Sequence, residues 1–391
     1  MVGAQSGFER RVQSALDAVP ARIPVILGGC GTGRTHLVQR LRDRLGHGAA
    51  QYIDVERSAT TPERFLQGVT TASPFSWHGA GRIPATAREA FDILLAFLDT
   101  ARAPGGESCT FILDEVLELR TFESFPGLRH VLRELLEALS GSANHFVLTT
   151  RYVARAHRIL RDVTPRFDVM HLPPLSAADV TDLLAPTFNG YEQMATDDRD
   201  DLGRAVQALT DGRAAYVRGI GDAMAQMQGS RPAQGRVADP ISALTALLAE
   251  DGALNLWCRF CYELRLHRAR GYGALKAILD ILAEEESLTL TEISLRLHRT
   301  PGSTKDYLSW LEDVDLVTSR QKRYSFTDPL LRLWVRLHCH ATPPTVDDVA
   351  REVQRYALAR IPKPEPAAAL AYAGTDATPD ERKSWGIIEI D

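Results

Sequence analysis

Ile23-Pro24-Val25-Ile26-Leu27-Gly28-Gly29-Cys30-Gly31-Thr32-Gly33-Arg34-Thr35-His36 is the stretch that decides the fold. Its apolar opening predicts a short strand over Ile23–Leu27. Leu37, Val38, Leu41 and Leu45 then recur at helical spacing and predict a helix from Arg34 to Leu45. Between them, Gly28–Thr35 fits G-x-x-x-x-G-K-[ST] except at Arg34, in the strand-to-helix context that motif needs. Glycines let backbone N–H groups turn inward around phosphate oxygens, and the helix N-terminus adds a favourable dipole. Gly28, Gly29, Cys30, Gly31, Thr32, Gly33, Arg34, Thr35 and His36 are therefore the phosphate-binding candidates, with the Thr35 hydroxyl a candidate Mg²⁺ ligand. The competing reading is an ordinary glycine-rich turn. Arg34 replaces a compact ammonium with a larger, planar, permanently charged group. It can grip phosphate, even bidentately, yet at an angle that slows chemistry.

About eighty residues on, Thr110-Phe111-Ile112-Leu113-Asp114-Glu115 reads as a buried strand ending in two carboxylates. Asp114 is placed to hold Mg²⁺ through water, and Glu115 to polarise an attacking water as general base. Successive side chains leave a strand on different sides, so two roles fit two neighbours. A capped strand end is the plain alternative.

Outward from these motifs, strands at Gln51–Val55, Cys109–Leu113, Phe146–Thr149 and Val169–Leu172 alternate with helical patterns at Pro62–Val69, after Thr86, and at Leu128–Leu139. That alternation predicts an α/β fold with a parallel sheet. Thr71–Ala85 reads as a long loop. After Pro173-Pro174 the pattern turns helical: Ser176–Leu184, Arg199–Leu209, Ala214–Met227, a polar linker Gly229–Asp239, and one stretch from Ile241 to about Arg268. Tyr272–Leu282, Thr291–Leu297 and Ser303–Leu311, then short strands Leu316–Ser319 and Tyr324–Phe326 around the basic turn Arg320–Arg323, form a winged-helix pattern. Helices at Asp328–Leu337 and Asp347–Leu358 follow. Ile361–Glu381 is Ala/Pro-rich and reads as a flexible tail, closed by apolar Trp385–Ile390.

The 391 residues are 45% hydrophobic and 24% charged, with formal net charge −5, the balance of a soluble globular chain without global attraction to nucleic acid. Five cysteines leave no complete disulfide framework and fit a reducing cytoplasm. No apolar run approaches the ~18 residues of a membrane span. Cys258 and Cys261 form C-x-x-C with no second such pair, inside an apolar helical pattern, so they read as packing cysteines rather than a zinc or redox site.

Residues 23–172 resemble a P-loop ATPase of the AAA+ and STAND kind, with Gly28–Thr35 as Walker A and Ile112–Glu115 as Walker B. The resemblance implies ATP and Mg²⁺ as ligands and a five-stranded sheet with the P-loop strand central and the sensor strand beside it. It implies a first sensor at Thr149 or Thr150, and the Thr149-Thr150-Arg151 run is similar to the sensor segment of STAND ATPases. It implies a helical lid over roughly Pro174–Met227 with a second sensor at Arg213 facing the γ-phosphate. Arg166 is the arginine-finger candidate, acting on a neighbouring copy in a homo-oligomer, with Arg151, Arg155, Arg158 and Arg161 as competitors. The segment from Tyr272 through Asp328-Pro329-Leu330-Leu331-Arg332-Leu333-Trp334 is similar to the winged helix of archaeal-type ATPases, relatives of origin-recognition ATPases.

Four regions are expected: an ATPase core (1–173), a lid (174–238), a helical linker with winged helix (239–340), and a C-terminal helix and tail (341–391). The first reading is a regulatory ATPase that hydrolyses ATP slowly and repositions its winged helix. The second is a nucleotide-binding switch with negligible turnover, acting on a protein partner through the winged helix or tail. The third is a DNA-binding initiator-like or transcription-regulating ATPase. There, Arg296, Arg299, Lys305, Arg320, Lys322 and Arg323 would meet phosphates, and Ser303 and Thr304 would meet bases, with Glu312, Asp313 and Asp315 opposing contact.

Overall fold

The computed structural model describes residues 4–361, except 80, 162, 188–193, 230–238 and 268–270. The linker reading therefore falls almost wholly outside the described residues, as does the tail with its apolar end.

Helix α1 (Ala4–Leu16) precedes β1 (Ile23–Leu27) and α2 (Arg34–Leu45). Then come β2 (Ala50–Asp54), α3 (Val55–Ser58), α4 (Pro62–Thr71), α5 (Ala87–Thr100), β3 (Thr110–Asp114), α6 (Val131–Gly141), β4 (His145–Thr150), α7 (Val153–Leu160) and β5 (Phe167–His171). The five strands are parallel, in the order β2-β3-β4-β1-β5. β4, the strand that carries the first-sensor candidates, lies beside β1. The P-loop strand is interior but not at the midpoint, since only β5 lies beyond it.

Both faces of the sheet are covered, which is why β1 and β3 are buried at every position. On one face Phe8, Val12 and Leu16 of α1 join Leu37, Val38 and Leu41 of α2 against Ile26, Ile112, Val147 and Met170. On the other, Val25, Phe111, Leu113 and Phe146 meet Phe65, Phe91, Phe97 and Leu135 from α4, α5 and α6. Phe111 alone contacts Phe75, Phe97 and Phe146 with ring centroids 5.2, 5.5 and 5.8 Å away. Burying each such side chain stabilises by roughly 1.5–3 kcal/mol, so this layer fixes where β1 and β3 end.

The segment expected as a lid holds α8 (Ala177–Leu184), α9 (Thr196–Thr210) and α10 (Ala214–Gly229). The stretch expected as one helix from Ile241 is two, α11 (Pro240–Leu248) and α12 (Ala253–His267). The break is at Gly252, where an added Cβ would lie 2.2 Å from the Leu247 carbonyl oxygen. The segment expected as a winged helix follows as α13 (Tyr272–Glu284), β6 (Leu288–Thr289), α14 (Leu290–Arg296), α15 (Pro301–Asp313), β7 (Val317–Arg320) and β8 (Arg323–Phe326). Gln321 and Lys322 both take positive φ, which makes the tight turn of the wing. β6 is a third strand of two residues, too short to leave a period in the sequence. Then come α16 (Pro329–His338) and α17 (Val346–Arg360). α17 packs back on the lid, with the Tyr356 hydroxyl donating to Leu209 O at 2.8 Å and Arg360 Nε to Ala208 O at 2.9 Å.

Candidate functional site

The loop leaving β1 curls before α2 with Gly31 at φ 77° and Gly33 at φ 98°, in the left-handed region where glycine costs least. The Thr32 hydroxyl donates to Gly29 O at 2.9 Å and holds the curl. The loop opens on a cavity of about 550 Å³, within the usual range for small-molecule sites. Gly31, Thr35 and His36 line it from the core, Asp179 and Arg218 from the lid, and Trp257 from α12. Arg218 and Trp257 were not singled out from sequence. Each sits in an unremarkable helical pattern, and only the fold brings it to the loop. Burial, with Arg218 and Arg40 nearby, holds His36 below its ordinary pKa and favours the neutral ring.

Arg34 does not face this cavity alone. Its Nη1 donates to Gly29 O at 2.6 Å, and its Nη2 pairs with Glu115 Oε1. Both side chains are buried. The other Glu115 oxygen accepts from the Arg151 amide at 3.0 Å and lies 3.2 Å from Arg151 Nε. Burial by itself would raise the Glu115 pKa, but Arg34 and Arg151 outweigh it and hold the carboxyl below its ordinary value. Arg151 also pairs with Glu56 and is held far on the charged side. Glu115 takes a left-handed conformation, φ 59°, directly after β3, turning its carboxylate toward the P-loop.

Asp114 closes β3, buried. One carboxylate oxygen accepts from the Thr149 hydroxyl, the other from the Tyr52 hydroxyl at 2.8 Å. Thr149 Oγ1 also accepts from the Glu115 amide at 3.1 Å. Of the two sensor candidates, Thr149 is therefore the one that holds the acid pair. The Thr150 hydroxyl accepts from the Tyr152 amide at 3.2 Å instead. Thr35 and Asp114 offer hard oxygen donors of the kind Mg²⁺ takes together with phosphate oxygens and water. Each Asp114 oxygen accepts one hydroxyl and keeps a lone pair, so the donor chemistry fits.

Arg213, the second-sensor candidate, lies beside the P-loop with its donors engaged. Nη1 donates to Cys30 O at 2.8 Å and Nη2 to Thr327 O at 2.8 Å, with Asp328 Oδ2 at 3.4 Å. It thus ties the loop to the start of α16. Asp315, after α15, also reaches the loop. It is buried at φ 58°, with Oδ2 3.2 Å from where a Cβ on Gly29 would sit and no hydrogen-bond partner on that oxygen among the described residues.

Two sequence assignments need correction. Arg166 precedes β5, at the opposite end of the sheet from the P-loop. Its guanidinium donates to the carbonyls of Ala21, Leu139, Ser140, Ser142 and Asn144, at 2.6–3.2 Å. It fastens the end of α6 within its own chain rather than projecting as a finger. Thr304, assigned to base contact, is fully buried and donates to Thr300 O at 3.0 Å. Among the competing arginines, Arg158 pairs with Asp313 and docks the end of α15 on α7.

Comparison with family models and with curated proteins gives no match. Among solved structures, a Walker-type ATPase of Pyrococcus abyssi aligns with TM-score 0.63 and 17% identity over 86% of this chain and 96% of that one. The Aeropyrum pernix ORC1 protein in complex with DNA aligns at 0.45 and 16% over 90% and 93%. Thermotoga maritima RuvB aligns at 0.44 and 11% over 87% and 96%. Among the described residues no helix is long and apolar enough to cross a membrane.

Proposed function

We propose that this P-loop ATPase fold of the AAA+ kind works as a slow, ATP-hydrolysing switch whose nucleotide state is coupled to its winged helix. The Arg34–Glu115 ion pair carries the reading. It joins the basic residue that would hold the phosphates to the acid that would activate water. Loop amides and Arg34 bind the triphosphate, while Thr35 and Asp114 would hold Mg²⁺, which neutralises charge on the phosphate oxygens when bound. Glu115 orients water and takes its proton. Triphosphate competes with Glu115 for Arg34, so binding frees one side of the carboxylate. Arg151 keeps the other side, and a carboxylate held below its ordinary pKa is a weak base. Slow turnover follows from both terms.

Coupling rests on Arg213 and Asp315, which join Gly29 and Cys30 to the winged helix. Phosphate entering here changes the partners of Arg213 and so biases the docking of α16. The two arginines on Glu115 also favour the second reading, a binding switch with negligible turnover that acts on a protein partner. Arg299, Lys305, Arg320 and Lys322 lie exposed while Asp313 is engaged with Arg158, which supports DNA phosphate contact as a third reading. Phosphate release from MgATP, with and without duplex DNA, beside Glu115→Gln separates them. Turnover lost in the variant supports the first reading. ATP binding with equal, negligible rates supports the second. Salt-sensitive DNA retention with stimulated turnover supports the third. Absence of ATP binding refutes all three.

A further inference from the structure

Helix α12 lays one face along the P-loop, and that face carries sulfur. Trp257, Cys261 and Arg265 recur at four-residue spacing and share one side of the helix. The Trp257 ring lies 3.3 Å from where a Cβ on Gly31 would sit. Arg265 Nη2 donates to Cys30 Sγ, and its Nη1 donates to Asp315 O at 2.9 Å. Cys261 lies one turn from each of these anchors on the same helix face, which sets its thiol toward Cys30. Cys258 faces away, toward the Tyr216 hydroxyl. All three cysteines are reduced and buried.

We infer that Cys30 and Cys261 form a redox modification site, in which a peroxide drives a disulfide that locks α12 onto the P-loop. The chemistry of the pair is asymmetric. The Cys261 thiol, against the cost of burial and with help from Arg265, Arg151 and Arg34, holds Cys30 well below the usual thiol range, whereas Cys261 is pushed up. A thiolate with a guanidinium donor is the nucleophilic form. Cys30 also lies between Gly29 and Gly31, which line the cavity through which a small oxidant reaches the loop.

In the first step the Cys30 thiolate attacks one oxygen of hydrogen peroxide. The O–O bond breaks, giving Cys30 sulfenic acid and hydroxide. In the second step the Cys261 sulfur attacks the Cys30 sulfur, its proton leaves with the sulfenic hydroxyl as water, and the S–S bond closes. Two thiols and one peroxide become one disulfide and two waters, and a dithiol reductant reverses the bridge. The bridge would fix the Cys30 segment of the loop against α12, which cannot then adjust around phosphates. That consequence rests on the nucleotide reading; the disulfide itself does not.

The test uses the full reduced chain, treated with hydrogen peroxide and then mapped by mass spectrometry of peptides under non-reducing conditions. The expected product is a Cys30–Cys261 peptide pair, removed by dithiothreitol. Affinity for a fluorescent ATP analogue should fall at least about tenfold on oxidation and return on reduction. Cys261→Ser should keep its affinity under peroxide and leave Cys30 as a sulfenic acid that dimedone captures. A wild-type map with Cys30 still free, or with Cys258 paired to Cys261, overturns the inference without recourse to any variant. A chain that forms the bridge but never binds the analogue would sink the nucleotide reading and leave the modification site standing.

Discussion

Replacing Glu115 with glutamine should destabilise the nucleotide-free protein more than removing Arg34, although both changes break the same pair. Glutamine keeps the shape and can still accept from the Arg151 amide at 3.0 Å. Arg151 retains Glu56. Arg34, buried to 7% side-chain exposure, keeps only neutral acceptors such as Gly29 O at 2.6 Å. Stranding a buried charge costs about 3–5 kcal/mol, and the retained carbonyl places this case near about 3. Arg34→Met instead leaves Glu115 with Arg151 Nε at 3.2 Å and the Arg151 amide. The loss is then one charged hydrogen bond, about 1.5–2 kcal/mol. The double variant strands no charge and should resemble Arg34→Met, giving a coupling of about 3 kcal/mol. Urea unfolding followed by tryptophan fluorescence, at matched slopes, measures all four proteins. Added MgATP should rescue Glu115→Gln more than wild type, because the triphosphate supplies Arg34 with an anion. A Glu115→Gln protein within about 0.5 kcal/mol of wild type, or additive losses in the double variant, would refute the reasoning.

Three further expectations follow from the same geometry. Arg34→Lys should raise ATP turnover roughly tenfold by putting a compact ammonium on the phosphates in place of the planar guanidinium, and an unchanged rate of phosphate release would count against that reasoning. Asp315 is pushed up to about 7 by burial, against Arg265, Arg213 and Arg34 and with Cys30 adding to the rise. Its folded value thus exceeds the ordinary ~3.9, so its contribution is full below that value and is lost as pH rises through about 7. Asp315→Asn should therefore gain stability over wild type as pH rises from 5 to 8, in steps of about one pH unit, and a difference independent of pH would contradict this. Gly212 sits at φ 64° with an added Cβ only 2.4 Å from Leu175 O and 2.8 Å from Leu175 N, both backbone atoms. Gly212→Ala should cost about 2 kcal/mol or more and weaken nucleotide affinity by displacing Arg213; an unmoved unfolding midpoint would exclude the clash.

What could be read from sequence was local. Ile23–Leu27 with the glycine loop, the strand ending at Asp114 and the helix starting after Thr86 all carry their cause within a few residues. The α1 helix is legible too, since Phe8, Val12, Ala15 and Leu16 follow helical spacing. Long-range partners were not. Nothing near Arg34 points to Glu115, because their meeting depends on β3 and β1 being held apart by β4 alone. Arg151 was one arginine among several until the end of β4 set its amide against Glu115. Arg166 was placed by analogy. Its true partners are carbonyls, which no side-chain pattern announces. Cys261 belonged to a packing pair until α12 crossed the loop.

The Arg213 bridge between Cys30 O and Thr327 O has a consequence for synthesis. A ribosome adds about 5–20 residues per second, so roughly 300 residues separate the emergence of these two ends by about 15–60 s. For most of that interval the nascent chain carries its glycine loop without α12 or Asp315, and for all of it without α16. The cap over the loop is made long after the loop itself, and translation pauses beyond residue 230 would lengthen the loop's exposure to chaperones, small anions and oxidants alike.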